Sequence, residues 1–243
     1  MVSSTTLLLP LILYLSFFSS FFISPSQSHN KVSLNLYYES LCPYSADFIT
    51  TSLPKIFTDN LLSIVDLRLV PWGNADIIKG NKTFNCQHGP HECLLNTVEA
   101  CVIYLLPDPG KHFPFINCVE HMVHKNRYKK WKSCIRKLLL DPNPIINCYR
   151  GEIGKQLELK YANETNALQP PYKFVPWIVV NGVPLKEDYE NFLSYVCKAY
   201  QGPNKPKNCT QASFLRTVRE VGAMPKHSVS YKKRVMPTLK LIQ

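Results

Sequence analysis

The chain has 243 residues, with 28 Lys and Arg against 17 Asp and Glu, a formal charge of +11 at pH 7, and nine cysteines. Basic clusters such as KNRYKKWKSCIRK (Lys125 to Lys137) raise nucleic-acid binding, but no nucleic-acid-binding signature accompanies them, so solvated helix faces and a loose tail are the reading and no nucleic-acid partner is expected. Only one apolar run approaches spanning length, which excludes a multi-span membrane protein.

That run lies at the start. Residues 1–28 carry no charged side chain and contain LLLPLILYLSFFSSFFI followed by SPSQS, where Ser26 and Ser28 supply small residues for cleavage. It reads as a signal peptide over 1–28, with a retained membrane anchor as the alternative, and no membrane span is expected in the mature chain. KVSLNLYYE (Lys31 to Glu39) alternates Val32, Leu34 and Leu36 with polar neighbours and predicts a strand. SADFITTSLPKIF predicts a helix that Pro54 kinks or stops, and LSIVDLRLVP predicts a second strand with Asp66 and Arg68 opposite Val65, Leu67 and Leu69. Strand, helix and strand make a βαβ unit with a parallel pair.

From Gly80 to about Leu168 the pattern turns helical. PHECLLNTVEACVIYLLP starts at Pro90 and stops at Pro107; FINCVEHMVHK, RYKKWKSCIRKLLL and IINCYRGEIGKQLELKYANE predict further helices. FVPWIVVNG (Phe174 to Gly182) then predicts a strand with an Asn-Gly turn, VPL its short partner, and KEDYENFLSYVCKAY a helix with one apolar face. After Gly202 the chain is rich in Pro, Lys and Asn, and 205–243 is expected to be largely disordered, with a turn or two of helix at SFLRTVREV. The fold class is therefore α/β: a thioredoxin-like sheet with an inserted, disulfide-stapled helical domain. The divisions are 1–28 signal peptide, 29–79 first part of the sheet domain, 80–168 helical insertion, 169–203 second part, and 204–243 basic tail.

The cysteines are Cys42, Cys86, Cys93, Cys101, Cys118, Cys134, Cys148, Cys197 and Cys209. An odd number in an oxidising lumen leaves one thiol over; eight can form four bridges with Cys42 alone, and the sequence does not choose among about 105 pairings. Sequons at Asn81, Asn163 and Asn208 agree with a lumenal route.

In LCPYSADFI, Cys42 and Pro43 open the first helix, and Ser45 stands where a second active-site cysteine would. A sulfur at a helix N-terminus faces unpaired N–H groups and the positive end of the dipole, which predicts a lowered thiol pKa. The Ser45 hydroxyl can donate to a thiolate but cannot form a disulfide. Cys42 is therefore the candidate nucleophile, Ser45 the group that steadies it, and Pro43 and Tyr44 lie beside it as substrate-contacting candidates. Release of a mixed disulfide then needs an external thiol or the substrate's other sulfur. Val175-Pro176 precedes the core strand; in thioredoxin-like folds such a proline is cis and faces the active-site cysteine, with Val175 presenting its backbone to an extended substrate.

CQHGPHECLLNTVEAC (Cys86 to Cys101) resembles the signature of the gamma-interferon-inducible lysosomal thiol reductase family. Cys86, Gln87, His88, Gly89, Glu92, Cys93, Asn96 and Cys101 fit every fixed place. The likeness extends to YYESLCPY, to PWGNA (Pro71 to Ala75) and to LQPPYKFVPWIVVNG. The resemblance implies a thioredoxin-like fold that reduces protein disulfides in acidic, lysosome-like compartments through a Cys-x-x-Cys pair. Only the first cysteine carries over, onto Cys42; Tyr172 is a second departure, where relatives often have histidine. The family match leaves the CQHG segment with two readings, a disulfide staple at a helix start or a metal site at Cys86, His88, His91 and Cys93; the first is preferred, and no metal is expected.

The function expected is a lumenal thiol-disulfide oxidoreductase acting through a single cysteine. Its partners would be disulfide-containing protein substrates and a small-molecule thiol, it would use no cofactor, and its place would be the secretory pathway, outside the cell or in a lysosome- or vacuole-like compartment. The alternative is a non-catalytic secreted glycoprotein that binds or traps cysteine-rich clients.

Overall fold

The computed structural model describes residues 31–58, 60–78, 83–209 and 229–232; the N-terminal segment read as a signal peptide, Asn81 and SFLRTVREV lie outside them. The central sheet has four strands in the order β2-β1-β6-β7. β1 (Val32–Tyr38) runs parallel to β2 (Val65–Pro71), with Val32 opposite Val65 and Tyr38 opposite Pro71. β6 (Trp177–Val180) lies antiparallel on the other side of β1, with Tyr37 opposite Trp177, and β7 (Val183–Pro184) closes the edge. The Asn-Gly turn joining them has Asn181 and Gly182 both at positive φ, 46° and 78°, as a two-residue hairpin with right-handed strand twist requires.

Between β1 and β2, α1 (Pro43–Asp47) widens into a π-type turn over Phe48–Ser52, then α2 (Lys55–Thr58) follows. The wide turn comes from Leu53 N–H donating to the Phe48 carbonyl rather than one residue closer, so Pro54 ends a helix that has already loosened. Asn117 donates to the Ile49 carbonyl at 3.0 Å and satisfies a group exposed by the widening.

A short hairpin follows β2: β3 (Asp76–Ile78) against β4 (Thr83–Asn85). It straddles the boundary where the sequence pattern turned helical, so the helices begin only at α3 (Pro90–Leu105). α4 (Pro109–His124), α5 (Lys132–Lys137), α6 (Pro142–Arg150) and α7 (Glu152–Asn166) complete the insertion. The stretch from Ile145 to Glu164 is two helices, not one, because Gly151 adopts extended backbone (φ −99°, ψ −176°) between them. Asp108 and Asp141 cap α4 and α6 by accepting from the amides two residues on.

Disulfides join Cys86 to Cys93, Cys101 to Cys148, Cys118 to Cys134, and Cys197 to Cys209. The first clips the start of α3, the next two tie α3 to α6 and α4 to α5, and the last holds the chain after α8 (Phe192–Ala199). α3 and α7 pack on β2, and α8 on β6 and β1. Phe48 meets Tyr189 and Phe192 edge-on, which seats the end of α1 against α8. On the outward face of β2, Arg68 Nε donates to Glu164 Oε1 of α7 at 2.6 Å.

Two stretches fall within the tail expected to be disordered. Residues Lys207–Cys209 form a turn of 3-10 helix, and β8 (Ser230–Tyr231) pairs antiparallel with β5 (Phe174–Val175). Among the described residues no helix is long and apolar enough to cross a membrane.

Candidate active site around Cys42

Topology gathers the site at one end of the sheet. β1 ends at Tyr38 and leads directly into Cys42; β2 ends at Pro71 beside it in register; β6 begins at Trp177, opposite Tyr37, just after Pro176. The loop 72–75 therefore shares this end with Cys42 and the Val175–Pro176 bond, which is cis, as is Gln169–Pro170.

Cys42 is the free cysteine among the described residues and is wholly buried. It stands at the N-cap of α1 in extended geometry (φ −69°, ψ 118°), with Pro43 at the first helical position. Pro43 and Tyr44 are exposed, while Ser45, Val175 and Pro176 are buried. The thiol does not have the lowered pKa that the helix position predicts. Burial pushes it up to about 11, the Ser45 amide and hydroxyl and the Tyr44 amide pull it down, and Glu39 raises it. Losing water around a thiolate outweighs dipole and amide effects worth about 0.3–1 kcal/mol each. Ser45 Oγ is buried without a hydrogen bond of full geometry, so it acts on the sulfur as a nearby dipole.

The segment before Cys42 is held by α3. Ser40 N–H donates to Asn96 Oδ1 at 2.9 Å, and Ser40 Oγ to the Glu92 carbonyl at 3.2 Å. Tyr38 donates its hydroxyl to Glu99 at 2.6 Å. Glu39, fully buried, accepts from the Asn74 amide at 2.6 Å. This contact explains the glycine of PWGNA: Gly73 has φ +57°, and a Cβ there would sit 2.2 Å from Glu39 Cγ. His88 Nδ1 lies 2.5 Å from Glu92 and 3.5 Å from Glu39, placing the imidazole between two carboxylates. Burial first, then the Glu92 charge, push the Glu39 carboxyl up; Asn74 and His88 oppose this.

The CQHG segment is thus a scaffold for the Cys42 loop. Gly89, at φ +92°, opens α3 ahead of Pro90; Cys86–Cys93 clips that opening; and His88, Glu92, Asn96 and Glu99 reach Glu39, Ser40 and Tyr38. Cys86 and Cys93 are spent in a disulfide, which removes the metal-ligand set considered from the sequence. Glu39, His88 and Glu92 do offer three ligand atoms within 4.8 Å of one another, with His88 Nδ1 set between the two carboxyl groups. Sequence reasoning missed Glu39, Asn74 and Gln87 as site residues. The signals were there, in a glutamate at the buried end of a strand and in the PWGNA motif. Asn163 and Asn208 are exposed.

Together the sheet order, the cysteine at the start of α1 and the inserted helices define a thioredoxin-fold protein of the disulfide-oxidoreductase type. The reduced disulfide oxidoreductase DsbG of Mycobacterium tuberculosis has this fold: TM-score 0.53, 15% identity, 79% of this chain and 88% of that chain covered. Residues 33–138 match the family profile "Gamma interferon inducible lysosomal thiol reductase (GILT)". The "Gamma-interferon-responsive lysosomal thiol protein" of Arabidopsis thaliana is 41% identical over 189 residues, 76% of this chain and 78% of that protein. The "Gamma-interferon-inducible lysosomal thiol reductase" of Mus musculus is 39% identical over 183 residues, 74% and 72% of the two chains. The chain belongs to the gamma interferon inducible lysosomal thiol reductase family.

Proposed function

We propose that the protein is a thiol-disulfide oxidoreductase of the secretory and lysosome- or vacuole-like compartments that opens protein disulfides with the single nucleophile Cys42. The observation that carries this is the one free sulfur among the described cysteines, set at the start of α1 on the same sheet end as the Val175–Pro176 edge. Cys42 attacks a substrate disulfide, forming Cys42–S–S–R and expelling the other substrate sulfur as a thiolate. Ser45 cannot complete the exchange. A small-molecule thiol displaces R–S⁻ and leaves a mixed disulfide on Cys42; a second molecule of thiol attacks that disulfide, releasing the small-molecule disulfide and returning Cys42 as the thiolate. In sum, two thiols are oxidised and one protein disulfide is reduced.

Burial pushes the Cys42 thiol up, so the resting sulfur is held as the neutral thiol at neutral and acidic pH. The resting sulfur is thus nearly inert, and reaction requires the docking substrate to open or polarise its surroundings. Ser45 supports this reading as the hydroxyl poised to stabilise the anion once it forms, and Pro43 and Tyr44 as the exposed lip beside it. Exposed Asn163 and Asn208 are the described glycosylation candidates, Asn81 being the third.

The test is turnover of a disulfide-bonded protein with cysteine or glutathione as reductant, with mass mapping of the adduct. Wild type should turn over and carry the mixed disulfide on Cys42, Cys42→Ala should do neither, and Ser45→Cys should raise reduction by dithiols. Activity surviving in Cys42→Ala would sink the proposal. An adduct that forms on Cys42 but is never released by added thiol would instead make the protein a covalent trap for clients.

A further inference from the structure

The short strand β5, just before Pro176, is already paired by the chain itself, in a two-stranded sheet of its own. Ser230 pairs with Val175 and Tyr231 with Phe174 in an antiparallel ladder. Side chains from the site loops clamp the same segment. Asn74 Nδ2 donates to the Ser230 carbonyl and Gln87 Nε2 to the Tyr231 carbonyl, both at 3.1 Å, and Ser230 Oγ donates to Gln87 Oε1 at 3.1 Å. Asn74 Nδ2 also donates to Gln87 Oε1 at 2.7 Å, so the two amides form one unit. The Tyr231 ring meets Phe174 edge-on at 5.7 Å. Lys232 Nζ lies 3.1 Å from Asp76 Oδ1 and 5.9 Å from the centre of the Tyr172 ring.

We propose that Asn74, Asp76, Gln87, Tyr172 and the Phe174–Val175 edge form a docking site for an extended polypeptide strand carrying an aromatic residue followed by a basic one, and that Val229–Lys232 fills it in cis as a pseudo-substrate. The physical basis is strand addition. Backbone pairing and the two carboxamides hold main-chain groups that every peptide has, so they supply affinity without sequence preference. Preference comes from the flanking groups. Phe174 favours a ring at the Tyr231 position. Asp76 and the face of Tyr172 favour a cation at the Lys232 position and disfavour an acid. A segment on the same chain competes with any free strand without paying the entropy of association, so the docked tail holds the edge until it is displaced. The inference rests on reading the Val175–Pro176 edge as the place where substrate docks beside Cys42, and adds to that reading what kind of segment docks and what keeps others out.

The experiment uses the full chain carrying Cys42→Ala, so that no covalent capture contributes, with and without Ser230→Pro and Tyr231→Pro. Proline at both positions removes the tail's ladder amides. The probe is a fluorescein-labelled peptide of sequence HSVSYKKR, residues 227–234, followed by anisotropy. The proline variant should bind it at least about tenfold more tightly than the chain with an intact tail. In that background Gln87→Leu should weaken binding about tenfold, through the lost amide bonds, and Asp76→Asn about threefold, as for an exposed ion pair. A peptide with Glu at the Lys232 position should bind least. Disulfide mapping and circular dichroism show that each variant is folded. Equal binding with and without the tail prolines, or no binding by a folded proline variant, overturns the inference. Because anisotropy involves no sulfur chemistry, peptide binding together with absent turnover in the Cys42-containing chain would refute the redox proposal and leave the docking site standing.

Discussion

At the scale of single residues, the site depends on close contacts among groups that look unrelated in the sequence. Glu39 ends a strand, Gly73 and Asn74 follow another, and His88 and Glu92 open a helix, yet they meet around one buried carboxyl. Glu39→Gln keeps the acceptor for the Asn74 amide and removes the charge that raises the Cys42 pKa. Thiolate absorbance near 240 nm, followed against pH, should show the Cys42 midpoint falling from about 11 by a fraction of a unit. The shift should appear only where Glu39 would be ionised, which its raised pKa confines to the alkaline side. Gly73→Ala combines a left-handed backbone penalty of ~1–2 kcal/mol with overpacking of ~1–3 kcal/mol, since the new methyl would overlap Glu39. Urea unfolding should show a loss of about 2–5 kcal/mol. Cys42, Ser45 and the Val175-Pro176 pair are legible in the sequence as a motif. The thiol's raised pKa is not, because position at a helix start is a local property and burial is a sum over everything packed around it.

At the scale of elements, α3 organises the active end. One face of this helix carries Glu92, Asn96 and Glu99 to Ser40 and Tyr38, and its two cysteines fix it to the preceding loop and to α6. Asn96→Ala would leave the Ser40 amide buried and unpaired, an expected cost of ~1–3 kcal/mol, and would loosen the segment leading into Cys42. Denaturant midpoints and the alkylation rate of Cys42 should change together, and Asn96→Asp, which keeps the acceptor oxygen, should restore both in part. Strand alternation and proline placement made β1, β2, α3 and the Asn181-Gly182 hairpin readable, since each depends on local periodicity or turn chemistry. The break at Gly151 and the widening at Phe48 were not readable. A glycine inside a helical pattern is ambiguous until a neighbouring helix requires the bend, and the widened turn depends on a donor, Asn117, from a different helix.

At the scale of the whole molecule, the carboxyl groups that the insertion buries include Glu99, Glu120 and Glu158. Burial raises all three, and the mutual repulsion of Glu99 and Glu120 raises Glu120 further. Glu39 joins them at the site. A carboxyl whose folded pKa lies above its unfolded value binds its proton more tightly in the native state. Its contribution to stability is complete below about pH 4.5 and is lost as pH rises through the folded pKa. Buried His112, whose pKa burial lowers, acts the other way below about pH 6.5, but it is one group against four. Urea midpoints should therefore be higher at pH 5 than at pH 8, and Glu120→Gln should flatten the difference. A midpoint that rises steadily to pH 8 would contradict the assignment of these carboxyls as protonated.

The sequence by itself determined the opening βαβ unit, the helical insertion, the closing strand and helix, the lone cysteine at a helix start, its missing partner at Ser45, and the family resemblance. Each of these is written in nearest-neighbour chemistry: periodicity, caps, turn residues and spacing. Only the tertiary structure decided which cysteines bridge, why Gly73 is a glycine, how the CQHG segment supports Cys42, and that Val229–Lys232 lies on the edge beside Pro176. Those outcomes depend on groups tens to more than a hundred residues apart meeting where water is excluded. There the cost of an unpaired charge or amide, absent from any short window of sequence, selects the partner.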